Sequence, residues 1–162
     1  MKRYILVFVT MISIFLMGCV TEKQKALQVE NQKASLSYSL EELKAYMLET
    51  EEESNKIKES LENEMLNQTE MNLKSQELYA LWDNTLNYFW EELKNNLPKE
   101  EFEKLKEEQL DWISDKERLV EEAGKEFAGG SIYSLIINSE AAGITEERVY
   151  VLYTLLKENT QK

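Results

Sequence analysis

Apolar residues recur at every third or fourth position through most of this chain. Nowhere do apolar and polar positions alternate convincingly with the period of two that marks a strand. Three long stripes stand out. The first, Leu40, Leu43, Met47, Ile57 and Leu61, predicts a helix to about Leu66, opened by a capping box of Ser39 and Glu42. Thr50 and Ser54 interrupt that stripe, and the acidic run Glu49–Glu53 lies beside it. The second, Met71, Leu78, Trp82, Leu86, Phe89 and Leu93, predicts a helix capped by Thr69 and reaching about Asn96. Asn95-Asn96-Leu97-Pro98 is a tight connection, with Pro98 suited to the first turn of the next helix. The third stripe holds Phe102, Leu105, Gln109, Trp112, Lys116, Val120 and Ala123, and Gly129-Gly130 stops it. Ser131 is expected to cap a short helix to about Ala141. Gly143 is expected to break it, and Thr145 with Glu146-Glu147 to start a last helix to about Glu158. The fold class is therefore all-α: an antiparallel helical bundle of three long helices plus one short and one C-terminal helix.

Gln109 and Lys116 are polar where the third stripe should be apolar. Counting outward from Pro98, an antiparallel hairpin brings Asn87 level with Gln109 and Asp83 within a turn of Lys116. A buried polar side chain without a partner costs about 1–3 kcal/mol. An Asn87–Gln109 hydrogen bond and an Asp83–Lys116 ion pair are therefore expected to fix the hairpin register. Trp82 and Trp112 fall on core stripes. Trp90 lies at a stripe edge beside Glu91, where it is either half-packed or an exposed anchor for a partner.

The N-terminus obeys a different rule. Lys2 and Arg3 precede an apolar run, Tyr4 to Phe15, which ends in Leu16-Met17-Gly18-Cys19. That arrangement resembles a bacterial lipoprotein signal: a basic start, a short greasy core, a small residue, then a cysteine that takes the lipid. Cleavage is expected between Gly18 and Cys19, leaving Cys19 acylated and the chain held on the extracytoplasmic face of the cell membrane. A spanning helix needs roughly 18 or more apolar residues, and this run is shorter. The expected organisation is residues 1–18 as signal peptide, 19–37 as lipidated cysteine and polar tether, and 38–162 as the helical domain.

Composition removes most chemistry. Histidine is absent and Cys19 is the only cysteine, so the usual general base, zinc ligand, thiol nucleophile and disulfide are all missing. No cofactor, metal site or catalytic residue is expected. Glu49–Glu53 lacks the spaced ligands and turn glycine of a calcium loop and reads as a solvated helix face. Gly129-Gly130-Ser131 reads as a helix stop rather than an anion cradle. After cleavage the chain carries 17 basic and 31 acidic residues, a net charge of −14. Nucleic acid is excluded as a partner, since phosphate contacts need clustered Lys and Arg. A cationic protein is favoured by the field.

Trp82-Asp83, Leu86-Asn87, Leu93-Lys94, Lys104-Leu105-Lys106, Gln109, Trp112-Ile113, Lys116, Gly129-Gly130-Ser131 and Thr145-Glu146-Glu147-Arg148 occur in an order that resembles the lysozyme inhibitor LprI-like domain. The similarity is strongest over residues 69–156. It implies a small all-α envelope domain that binds protein, with lysozyme as the implied partner. Lys116-Glu117 stands where the family commonly has Arg-Asp, keeping the charge but losing the bidentate fork. Leu110 replaces a frequent arginine. Val149 occupies a position where many relatives carry cysteine. Two other functions stay open on the residues alone: a structural or scaffolding envelope lipoprotein, and a domain holding a small cation or peptide between helices.

Overall fold

The computed structural model describes the backbone of residues 22–159 and the side chains of residues 40–159. Gly18, Cys19 and the rest of the expected signal segment lie outside the described residues. Four helices make up the architecture: α1 (Glu22–Asn63), α2 (Gln68–Asn96), α3 (Lys99–Gly124) and α4 (Tyr133–Asn159), with a 3-10 turn at Lys125–Phe127. No strand occurs among the described residues. Tyr38–Lys162 forms one compact unit, which holds the core.

Two helix starts differ from expectation. Helix α1 begins at Glu22, so Ser39 and Glu42 lie inside it rather than capping it. Residues 22–38 contain neither Gly nor Pro and are rich in Glu, Lys, Gln, Ala and Leu, which carry little helix penalty. Helix α2 is capped by Asn67, not Thr69. Asn67 Oδ1 accepts from the N–H groups of Thr69 and Glu70, at 3.0 and 3.1 Å, and Glu70 returns a carboxylate to the Asn67 N–H at 2.7 Å. The reciprocal bonds satisfy donors that would otherwise be orphaned at the helix start.

The largest correction concerns the C-terminal third. A single 27-residue helix replaces the expected short helix and separate last helix, and it passes through Gly143 without a break. A lone glycine in a helix costs only about 1 kcal/mol. Around it, Ala141, Ala142, Thr145 and Val149 are all buried, and that burial outweighs the penalty. Thr145 does not cap a new helix. Its hydroxyl donates to the Ala141 carbonyl of its own helix at 2.6 Å.

Helices α2 and α4 are the central pair, and they run parallel. Asn72 donates to the Ser131 carbonyl at one end, Asn138 to Ser75 further along, and Asn159 to the Asn96 carbonyl at the other end. Between them Phe89 stacks on Tyr153 with ring centroids 5.5 Å apart. Ser75, Ala141 and Ala142 are small and buried, which lets the two backbones approach closely. Consecutive helices remain antiparallel, as short connections require.

Within the compact unit, residues 40–63 of α1 lie along one flank of that pair. Its interrupted stripe is explained by what it meets: Ser54 accepts the indole N–H of fully buried Trp82 at 3.1 Å. One turn earlier the Thr50 and Thr85 hydroxyls lie 3.2 Å apart in the interior. Each can also reach the carbonyl four residues back on its own helix, so one hydroxyl donates across the interface and the other donates back. The serine is small enough to admit an indole and polar enough to satisfy it. Lys58 closes the end of this interface with an ion pair to Glu146 at 2.7 Å, linking α1 to α4. Other ion pairs, such as Lys56–Glu52, Lys94–Glu91 and Lys125–Glu122, join side chains only three or four positions apart. Tyr150 adds a hydrogen bond to Glu51 at 2.7 Å. Burial, then this bond to a carboxylate, pushes its phenol up to about 12.

Helix α3 lies on the other flank and is the least embedded, with Leu105 its only fully buried apolar side chain. It closes on α4 at its C-terminal end through Gly124. A Cβ there would meet Ile137 Cγ2 at 2.7 Å and Tyr133 Cε2 at 2.8 Å. Gly129 then takes the left-handed conformation (φ 78°) that turns the chain toward α4.

Gly143 and Gly124 should respond oppositely to the same substitution. A methyl group added at Gly143 would have nothing within 4 Å, so Gly143→Ala is expected to stabilise by about 0.5–1 kcal/mol. Gly124→Ala is expected to destabilise by about 1–3 kcal/mol through overpacking. Urea denaturation monitored by circular dichroism measures both, and a stabilised Gly124→Ala would contradict the close α3–α4 approach.

Candidate functional site

Of the residues singled out from the sequence, Asp83, Asn87, Trp90, Gln109, Trp112 and Lys116 lie together, lining a groove rather than a sealed seam. Helices α2 and α3 touch near two ends of their antiparallel run. Trp90 meets Phe102 at a centroid distance of 5.0 Å near the connection, and Lys116 reaches the Tyr79 hydroxyl at 3.3 Å further along. Between these contacts a cleft of about 390 Å³ opens, lined by Asp83, Asn87, Trp90, Gln109, Trp112 and Lys116. Leu86, Lys106, Leu110, Ile113 and Glu117 complete its walls. The physical cause is the position of α3, which takes its closest support from α4.

Neither expected pairing across the hairpin forms. Asn87 is exposed and donates to Asp83 one turn back on the same helix, at 3.3 Å. Gln109 is buried, as its place on the stripe required, but it faces α4: its Oε1 accepts from Arg148 Nε at 2.8 Å. Lys116 meets no carboxylate at ion-pair distance among the described residues. Its ammonium lies 5.3 Å from the Tyr79 ring centroid and 5.0 Å from that of Trp112, held by two aromatic faces. The helices are too far apart for short amide and carboxylate side chains to bridge. An arginine from a third helix, α4, reaches Gln109 instead, and the long lysine stem folds onto the rings.

Arg148 is the residue whose role is most changed by the tertiary structure. Its guanidinium carbon lies 5.9 Å from the Trp112 ring centroid, and Nη2 is buried with no acceptor among the described residues. Burial lowers its pKa from the ordinary value, with the Glu108 charge opposing that shift. The group stays charged regardless, because an arginine starts so far above neutrality. Gln109, Trp112 and Arg148 thus form the α3–α4 fastening, and Gln109 and Trp112 also line the groove.

Trp82 lies apart from the groove, at the junction of α1, α2 and α4. Trp90 is half-buried and lines it. Reading the sequence missed Leu110 and Ile113, which are 59% and 37% exposed. A signal was present: they sit three apart on α3, apolar residues off the Leu105–Trp112 stripe and among charged neighbours. Among the described residues no group of three or more His, Cys, Asp or Glu side chains is disposed to hold a metal.

The arrangement is a polar-rimmed groove with an apolar floor on an acidic helical frame. The family model of lysozyme inhibitor LprI matches residues 60–152, which takes in α2, α3 and most of α4. The chain belongs to that family, as its motifs led us to expect. No curated protein and no solved structure matches it.

Double-mutant cycles test the rewired contacts. Gln109→Leu and Arg148→Met should each destabilise by about 1–3 kcal/mol, with a coupling energy of about 0.5 kcal/mol or more. Asp83→Ala and Lys116→Ala should be additive within about 0.5 kcal/mol, since they do not meet. Coupling in the second pair and additivity in the first would refute this geometry.

Proposed function

We propose that this chain is an exported, lipid-anchored protein that binds lysozyme and blocks its action on the cell wall, and that it carries no catalytic activity of its own. The observation that carries the reading is membership of the lysozyme inhibitor family across residues 60–152. Two further features support it. The chain is strongly acidic, with 31 Asp and Glu against 19 Lys and Arg, and lysozymes are typically basic. A field of opposite sign raises encounter rates and is screened by salt. The Leu16-Met17-Gly18-Cys19 run supplies the signal expected of a lipoprotein, which would station the domain where lysozyme attacks. Stable anchoring requires two or more acyl chains, at about 0.8 kcal/mol per buried methylene.

A turbidity assay is the direct test. The full chain should slow lysis of a bacterial suspension by a basic lysozyme, with inhibition weakening as salt rises from about 50 to 300 mM, where the Debye length shortens. Unchanged lysis at saturating protein removes the reading. In the producing cell, Cys19→Ser should move the protein from the membrane fraction to the soluble fraction. Continued membrane retention would defeat the anchoring part alone.

A further inference from the structure

We infer that the groove between α2 and α3 is the surface that engages the cationic partner, seating an apolar side chain of that partner between Leu110, Ile113 and Trp90 while its basic residues pair with Asp83 and Glu117. This rests on the lysozyme-binding reading and names the contact surface for it.

Charge complementarity points to that occupant. The two helices forming the groove hold fifteen acidic and seven basic residues, a net charge of −8 within a chain whose total is −12. The four charged residues on the groove wall divide by sign. The cations are already engaged inside the chain: Lys116 rests on Tyr79 and Trp112, and Lys106 lies 4.0 Å from Glu103. The carboxylates are not. Asp83 accepts only the amide of Asn87, and neither Asp83 nor Glu117 has a cation at ion-pair distance among the described residues. The groove therefore presents unpaired anions around its rim, and the described residues of its own chain bring no cation to them.

The floor supplies the apolar half. Leu86 is buried and Trp90 half-buried, while Leu110 and Ile113 stand open at the lip. Exposed aliphatic side chains flanking a half-buried tryptophan within a polar rim are the composition of an interface centre. A cleft of about 390 Å³ takes one or two large side chains and not a whole helix. A projecting apolar residue ringed by Lys or Arg fits that space and that rim.

The test uses substitutions that separate the groove from the overall charge. Leu110→Glu with Ile113→Glu makes the chain more acidic, so long-range attraction to a basic lysozyme alone would strengthen binding. The groove reading expects the opposite, a loss of at least about tenfold in affinity by calorimetry or surface binding. Leu48→Glu with Leu73→Glu, at sites 64% and 53% exposed outside the groove, adds the same two charges and should bind within about twofold of the unsubstituted chain. Both are made in the full chain, with folding checked by thermal melts. Hydrogen exchange on the unsubstituted chain gives an independent readout: lysozyme should protect amides within residues 103–117 and leave residues 45–60 unchanged. Undiminished binding by the groove variant, or protection confined to α1, overturns the groove alone. Failure of the unsubstituted chain to bind lysozyme overturns the functional reading and this inference with it.

Discussion

The domain is organised around the demand of one buried indole. Trp82 is wholly removed from solvent, and its N–H must find an acceptor or lose on the order of 1–3 kcal/mol. Ser54 on α1 meets that demand, and doing so fixes the height of α1 against α2. Tyr150 on α4 packs its ring 6.1 Å from the same indole, and Lys58 lies over it at 5.9 Å while reaching across to Glu146. One side chain thus sets the register of three helices. The polar interruption in the α1 stripe is the cost of accepting it.

The α3 helix obeys a different logic. It shares little of the apolar core and is fastened to α4 by a hydrogen-bonded Arg148–Gln109 pair, the Trp112 face and the close approach at Gly124. A half-buried guanidinium is a weak contributor to net stability, because desolvation offsets much of what its contacts return. It is a strong determinant of geometry, because its planar fork tolerates few alternative positions. Held in this way from one side, α3 leaves its other side splayed from α2. The groove is therefore a consequence of how α3 is attached, and groove and attachment share Gln109 and Trp112.

Lys116 shows how this arrangement tunes the surface. An ammonium drawn down onto Tyr79 and Trp112 does not neutralise Asp83 or Glu117. The acidic excess of the α2–α3 face is preserved locally as well as globally, in a place where apolar side chains are also exposed. Electrostatic attraction sets how fast a basic partner arrives, and desolvated apolar contact sets how long it stays.

How much could be read without the fold depends on the range of each interaction. Helical periodicity, the connection at Pro98 and the stop at Gly129 depend on neighbours within a few positions, so the chain alone determined an all-helical domain and the order of its long helices. The family motifs are likewise local strings. The tertiary structure decided what depends on distant partners. Gly143 stayed helical because α2 rewards burial on both sides of it. Gln109 found Arg148, thirty-nine positions away, rather than Asn87 across the hairpin. Whether Asp83, Asn87 and Lys116 closed a seam or lined a groove turned on a few ångströms of helix separation. Spacing along a chain fixes which face a residue occupies, and only packing against a third helix fixes how far apart two faces stand.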